Sequence, residues 1–226
     1  MKISSEFSKY AIHYNRYNTV QKEVAVKLLS FVKSKPKNIL DLGCGSGVLA
    51  QKIDWEYNKL MAVDFAHGML QLHPKSKKIE CIYGDFNDTN LFKDLKKYKF
   101  DYILSASALQ WADDLNKLFQ NLKTLNAPVA LAIFTSNTFK TLYKTAGLKP
   151  LLIEYNRLDR LQKKYFDNRS EIVNYKLEFD NVRDMFRYIK KSGVSGSRNI
   201  LSYKEMKKLM YEYPLNYLEF EVAFIY

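Results

Sequence analysis

"ILDLGCGSGVLA", residues 39–50, passes from an apolar run into three glycines spaced two apart, and its reading decides the fold. The chain has only eight glycines, yet Gly43, Gly45 and Gly47 all fall between Asp41 and Val48. The apolar run reads as a strand, and a helix reads from about Val48. Glycine lets a backbone turn sharply and lets a ligand approach without meeting a Cβ. In an open parallel sheet, ligands sit outside the carboxyl ends of the strands, near the switch in strand order. The stretch therefore reads as a ligand loop, with Asp41 at the end of the strand that feeds it.

Working outward, β-like runs alternate with helical ones. "NILDLG" (38–43), "LMAVDF" (60–65), "IECIYGDF" (79–86), "FDYILSAS" (100–107) and "VALAIFT" (129–135) are strand candidates. Segments 47–54, 66–72, 88–97 and 114–124 between them have helical period. Unbroken apolar runs suit strands buried on both faces, and strand–helix repeats of this length predict a parallel sheet with helices on both sides. Residues 6–33 read as one or two amphipathic helices, with Val20, Val24, Leu28, Leu29 and Val32 on one side. Residues 136–170 carry no clear strand and read as helix and loop. "IVNYKLEF" (172–179) alternates like a strand, and Asn181 is placed to cap a helix over 182–192 that ends at Gly193. "SYKE" (202–205) has capping-box spacing for another helix to about 211, and "YLEFEVAFIY" (217–226) alternates strongly as a strand. We expect one domain: a helical cap at 1–33, a core at 38–135, a helical insertion or lid at 136–170, and strands and helices at 171–226.

Composition bounds the function. The 226 residues are 47% hydrophobic and 15% aromatic, enough for a packed core. No run approaches the ~20 apolar residues of a membrane span, and the N-terminus lacks an apolar signal core, so a cytoplasmic protein is expected. Cys44 and Cys81 have no metal-type spacing, and His13, His67 and His73 are scattered, so no metal site is expected. The net charge of +12 suggests an acidic macromolecular partner, protein or RNA, against a merely lysine-rich surface. Residues 136–170 alone hold 8 basic and 3 acidic side chains, a surplus of 5.

The glycine spacing selects the ligand. A dinucleotide loop reads GxGxxG, whereas here the pattern is GxGxG and Val48 stands where its third glycine belongs. That spacing argues against a nicotinamide dehydrogenase. An acid two residues before the first glycine can meet an amino group, which suits the ammonium of S-adenosylmethionine better than a pyrophosphate. Asp64 ends the second strand, where a carboxylate can accept both hydrogen bonds of a ribose diol. Asp85 and Phe86 end the third in "GDF", offering an acceptor and a ring face to an adenine. "SASALQW" (105–111) ends the fourth, where methyl donor and acceptor would meet.

"DLGCGSG", "VDFAHGML", "GDF" and "ALQW" resemble the cofactor motifs of the class I S-adenosylmethionine-dependent methyltransferases, across about 38–135. The resemblance implies a Rossmann-like α/β fold: a mostly parallel seven-stranded sheet, helices on both faces and an antiparallel C-terminal strand. It implies S-adenosyl-L-methionine as cofactor, held by Asp41, Gly43, Cys44, Gly45, Gly47, Asp64, Phe65, Met69, Asp85, Phe86 and Ser105. "FSKYAIHYNRYNTVQ" (7–21), "ALQWADDL" (108–115), "MFRYIKKSGVSG" (185–196) and "YPLNYLEFEVAFIY" (213–226) resemble the malonyl-acyl-carrier-protein O-methyltransferases, which open the pimelate branch of biotin synthesis. This implies an acidic acyl carrier protein bearing a malonyl group as partner, docked on the basic 136–170 stretch. It also implies that Tyr14 and Gln21 close over the cofactor and that Gln110, Trp111, Arg187 and Arg198 meet the acceptor. Departures are the lack of Gly-Gly before the fifth strand and the altered "TFKTLYKTAGL" after it. A methyltransferase acting on another small molecule or on RNA remains an alternative.

Overall fold

The apolar runs become strands because their β-branched and aliphatic side chains pack on both faces of a sheet. The computed structural model describes residues 17–192 and 201–226. In chain order these form α1 (Thr19–Phe31), β1 (Asn38–Leu42), α2 (Val48–Lys52), β2 (Lys59–Asp64), α3 (His67–Leu72) and β3 (Ile79–Tyr83). Then follow α4 (Thr89–Leu95), β4 (Tyr102–Ala106), a 3₁₀ turn (Leu109–Trp111), α5 (Leu115–Lys123) and β5 (Val129–Phe134). The remainder is α6 (Lys140–Thr145), α7 (Tyr155–Tyr165), β6 (Ser170–Glu178), α8 (Val182–Ser192), α9 (Tyr203–Glu212) and β7 (Tyr217–Ile225).

The seven strands lie in the order β3-β2-β1-β4-β5-β7-β6. β1 to β5 are mutually parallel, and β7 runs antiparallel to both β5 and β6, as the expected fold requires. Strand order reverses between β1 and β4, so the ends of those two strands flank the crevice where such sheets bind ligands. Alternating side chains divide the core. Leu60 and Ala62 join α1 and α2 on one face, while Met61 and Val63 join α4 and α5 on the other.

Side chains that reach back to the backbone set the element ends. Asp88 caps α4 by accepting from Asn90 N, and Asp114 caps α5 through Asn116 N and Lys117 N. Asn181 Oδ1 accepts from Asp184 N at the start of α8, and Ser202 and Glu205 form the expected capping box of α9. Strand 79–86 stops early, at Tyr83, because Asp85 Oδ1 takes Asn87 N and turns the chain away from the ladder. Gly193 and residues 6–16 lie outside the described residues. Among those described, no helix is long and apolar enough to cross a membrane.

Candidate functional site

The glycine loop hangs on the end of β2. Gly43 N and Cys44 N both donate to Val63 O, at 2.8 and 3.0 Å, and Gly45 N donates to Asp64 Oδ2 at 2.8 Å. Asp64 Oδ1 accepts from Ala66 N at 2.8 Å, so one carboxylate holds the loop and the entry to α3 together. All three glycines have positive φ, at 75°, 53° and 84°. Their surroundings differ. A Cβ on Gly43 would lie 2.3 Å from Ala108 Cβ, and one on Gly47 would lie 2.4 Å from Pro74 Cδ. A Cβ on Gly45 would meet nothing within 4 Å. Gly43 thus permits chain to pass against chain, Gly47 closes on the His73–Pro74 corner, and Gly45 faces open space.

Above the loop, at the carboxyl ends of the strands, lies a cleft. It is walled by Asp41, Gly43, Cys44 and Gly45 from the β1 end, by Asp64, Phe65 and Met69 from the β2 end, and by Phe86. Ala106, Ser107, Ala108 and Trp111 close it at and beyond the end of β4, and Gln21 and Ala25 reach it from α1. Gln21 can do so because it shares the inward face of α1 with Val24 and Leu28.

Asp41 dominates the electrostatics. It is 1% exposed, and neither carboxylate oxygen has a hydrogen-bond partner. Burial, and then the neighbouring Asp64 charge, pushes its pKa up to about 8. Burial also raises Asp64, opposed by the backbone N–H groups of Ala66, Gly45 and Phe65. The Cys44 thiol is pushed well up, by burial first and then by the two acids. Two desolvated acids on one wall, one of them bare, make a receptor for a cation. Three backbone N–H groups thus meet Asp64, and a carboxylate offers about four acceptor directions.

Several expected site residues stand elsewhere. Ser105 is fully buried within β4, and its hydroxyl donates to Leu42 O at 2.6 Å, tying β4 to β1 rather than facing the cleft. Asp85 turns into its own loop toward Asn87 N and is not on the wall, while its neighbour Phe86 is. Gly47 is likewise off the wall. Gln110 donates to Ser107 O at 2.7 Å and sits behind that residue. Arg187 is not on the cleft wall. Met185 and Tyr188 take the inward face of α8, so Arg187 points out and pairs with Asp184 at 2.5 Å. Tyr14 and Arg198 lie outside the described residues. Ser107, not picked from the sequence, lines the cleft, and its hydroxyl is buried and unpartnered.

Comparisons with known proteins agree with this geometry. Residues 39–128 match the family model described as "Methyltransferase domain". Malonyl-[acyl-carrier protein] O-methyltransferase 1 of Ilyobacter polytropus is 30% identical over 223 residues, covering 90% of this chain and 80% of that protein. Malonyl-[acyl-carrier protein] O-methyltransferase 2 of the same organism is 27% identical over 241 residues, covering 96% and 90%. The crystal structure of the YcgJ protein from Bacillus subtilis superimposes with a TM-score of 0.60 at 10% identity, over 89% of this chain and 97% of that one.

Proposed function

The chain belongs to the class I S-adenosylmethionine-dependent methyltransferases, and from that premise we propose that it forms a carboxyl methyl ester on a malonyl group carried by an acyl carrier protein. The observation that carries the cofactor half is Asp41: a fully buried carboxylate, bare on both oxygens, on the wall of a cleft at the strand switch. The acceptor half is supported by what the two Ilyobacter relatives are named for, at 30% and 27% identity over nearly the whole chain. On this reading the whole chain is a single methyltransferase domain, and the product starts the pimeloyl branch of biotin synthesis.

Asp41 would take the ammonium of the methionine end, and Asp64 the ribose hydroxyls. Phe65, Met69 and Phe86 offer apolar faces to the adenine, with Asp85 beside them. Gln21 and Tyr14 would cover the cofactor from the N-terminal side. The bound cofactor supplies an electrophilic methyl group on a sulfonium sulfur. The acceptor carboxylate is already ionised at pH 7, so the chain has no proton to remove. The cleft fits that economy, since Asp41, Asp64 and Cys44 are the only titratable side chains on its described wall and all three are pushed toward their protonated forms.

What remains for the protein is positioning, which can supply about 7–11 kcal/mol of barrier reduction. Trp111 closes the acceptor side and excludes water, and Arg198 is the candidate cation for the malonyl end. The exposed basic residues around α6 and α7, such as Lys144, Lys149 and Arg160, offer an acidic carrier a face that electrostatics can steer. Esterification removes a charge that would be costly to bury, so the product can enter apolar chain-elongating pockets.

The test is mass spectrometry of malonyl-acyl carrier protein after incubation with the protein and S-adenosylmethionine, with malonyl-coenzyme A and bulk tRNA alongside. A single esterase-sensitive methyl gain on the carrier-bound malonyl group is expected. Methylation of tRNA alone, or of neither malonyl thioester, would overturn the reading.

A further inference from the structure

Ser107 stands one residue past β4 with φ +62°, in the left-handed region that non-glycine residues rarely adopt. Such strain persists where surrounding structure enforces it, often at a ligand site. Here the enforcement is visible. Ser107 N donates to Ala132 O at 2.9 Å, and Ser107 O accepts from Gln110 Nε2 at 2.7 Å. Both backbone groups are engaged, and the hydroxyl is left over. Ser107 lines the cleft, and its hydroxyl is buried without a partner. A buried hydroxyl without a partner carries a desolvation cost that a hydrogen bond from or to a ligand removes.

The charge inventory says which kind of ligand group. Among the described residues of the wall the acidic side chains are Asp41 and Asp64, and no Lys, Arg or His lines it. The strand order sets Asp64, Asp41 and Ser107 at the ends of β2, β1 and β4 in succession, so Ser107 lies across from the ribose side. The wall has acceptors for a cation and is short of donors for an anion. Resting on the function proposed above, each ligand brings an anion to this end: the methionine carboxylate of the cofactor and the malonyl carboxylate of the acceptor. We infer that the Ser107 hydroxyl donates to a carboxylate oxygen of the bound ligand, and that Gln110 is a positioning residue that keeps Ser107 in its left-handed conformation.

Two variants separate the hydroxyl from the strain. Ser107→Ala removes the hydroxyl and keeps the strain, whereas Ser107→Gly removes both and should fold at least as well. S-adenosylhomocysteine and decarboxylated S-adenosylmethionine are titrated calorimetrically, and KM and kcat are measured for malonyl-acyl carrier protein. Both variants should lose about tenfold in one constant, equivalent to about 1.4 kcal/mol. If the partner is the cofactor carboxylate, S-adenosylhomocysteine weakens and the decarboxylated probe does not. If it is the malonyl carboxylate, both titrations are unchanged and KM rises at nearly constant kcat. Gln110→Ala should weaken the same constant in the parent and add nothing on top of Ser107→Gly. The inference is overturned if every constant stays within twofold in both variants, or if the loss in Ser107→Ala is restored in Ser107→Gly. Should the parent fail to methylate malonyl-acyl carrier protein, the functional reading falls separately, and the S-adenosylhomocysteine titration alone decides Ser107.

Discussion

Replacing Gly43 and Gly45 in turn by alanine separates two reasons for a glycine that the sequence writes identically. Both residues have positive φ, at 75° and 53°, so either substitution pays about 1–2 kcal/mol for a left-handed L-residue. Gly43→Ala also drives a methyl to 2.3 Å from Ala108 Cβ, an overlap that neither backbone can avoid without moving. Overpacking of that kind adds about 1–3 kcal/mol, for a total of about 2–5 kcal/mol. Gly45→Ala meets nothing within 4 Å and should stop at about 1–2 kcal/mol. In a chain of this size each kcal/mol moves the melting temperature by about 2–4 °C, so Gly43→Ala should melt lower than Gly45→Ala by roughly 2–12 °C. The order reverses for ligand. The Gly45 methyl enters the open space beside the loop, so this variant should bind S-adenosylhomocysteine less well than its stability loss suggests. Thermal melts without ligand and calorimetric titration of S-adenosylhomocysteine measure the two effects. Equal melting temperatures, or a less stable Gly45→Ala, would refute the reasoning that close chain passage fixes Gly43.

Asp41 sets a pH dependence. Its folded pKa of about 8 lies above the usual 3.8, so between about pH 4 and 8 the folded state holds a proton that the unfolded chain has released. Ligand-free stability should therefore fall as pH rises through that window, and Asp41→Asn should flatten the slope in urea titrations run at pH 5, 6.5 and 8. For the same reason, affinity for S-adenosylhomocysteine should rise from pH 6 toward 8 in the parent protein and not in Asp41→Asn. Ser105→Ala should cost about 1 kcal/mol by urea denaturation through loss of the bond to Leu42 O, with S-adenosylhomocysteine affinity within twofold. Arg187→Ala should leave both cofactor affinity and turnover within about twofold, because an exposed pair with Asp184 contributes little; a tenfold fall in turnover would return Arg187 to the acceptor site.

The loop and its two acids were legible because their chemistry is local. A glycine turn after a strand, with a carboxylate at each of two strand ends, can be read from spacing alone. Ser105 and Ser107 mark where that stops. Both sit at the end of the fourth apolar run, and only the observed end of β4 at Ala106 separates a serine still in the ladder from one released into the cleft. Gly43 and Gly47 pose the same problem, since what each avoids lies far along the chain, at Ala108 and Pro74. Arg187 was legible in principle. Val182, Met185 and Ile189 share one side of a 3.6-residue period, and position 187 falls nearly opposite.

The position of β7 has a consequence for how the chain is assembled. β7 lies between β5 and β6, so β6 has no place in the sheet until residues 217–225 arrive beside it. During synthesis the glycine loop, β2 and β4 can associate once residue 106 has left the ribosome, while residues 170–178 must wait for about forty more. For that interval β5 presents an open edge of six buried apolar residues, "VALAIF", the sort of segment that recruits foreign strands. The cofactor wall can thus be complete on a nascent chain whose far edge is still unsealed, and a ligand bound there would hold half a sheet steady while the last strand is made.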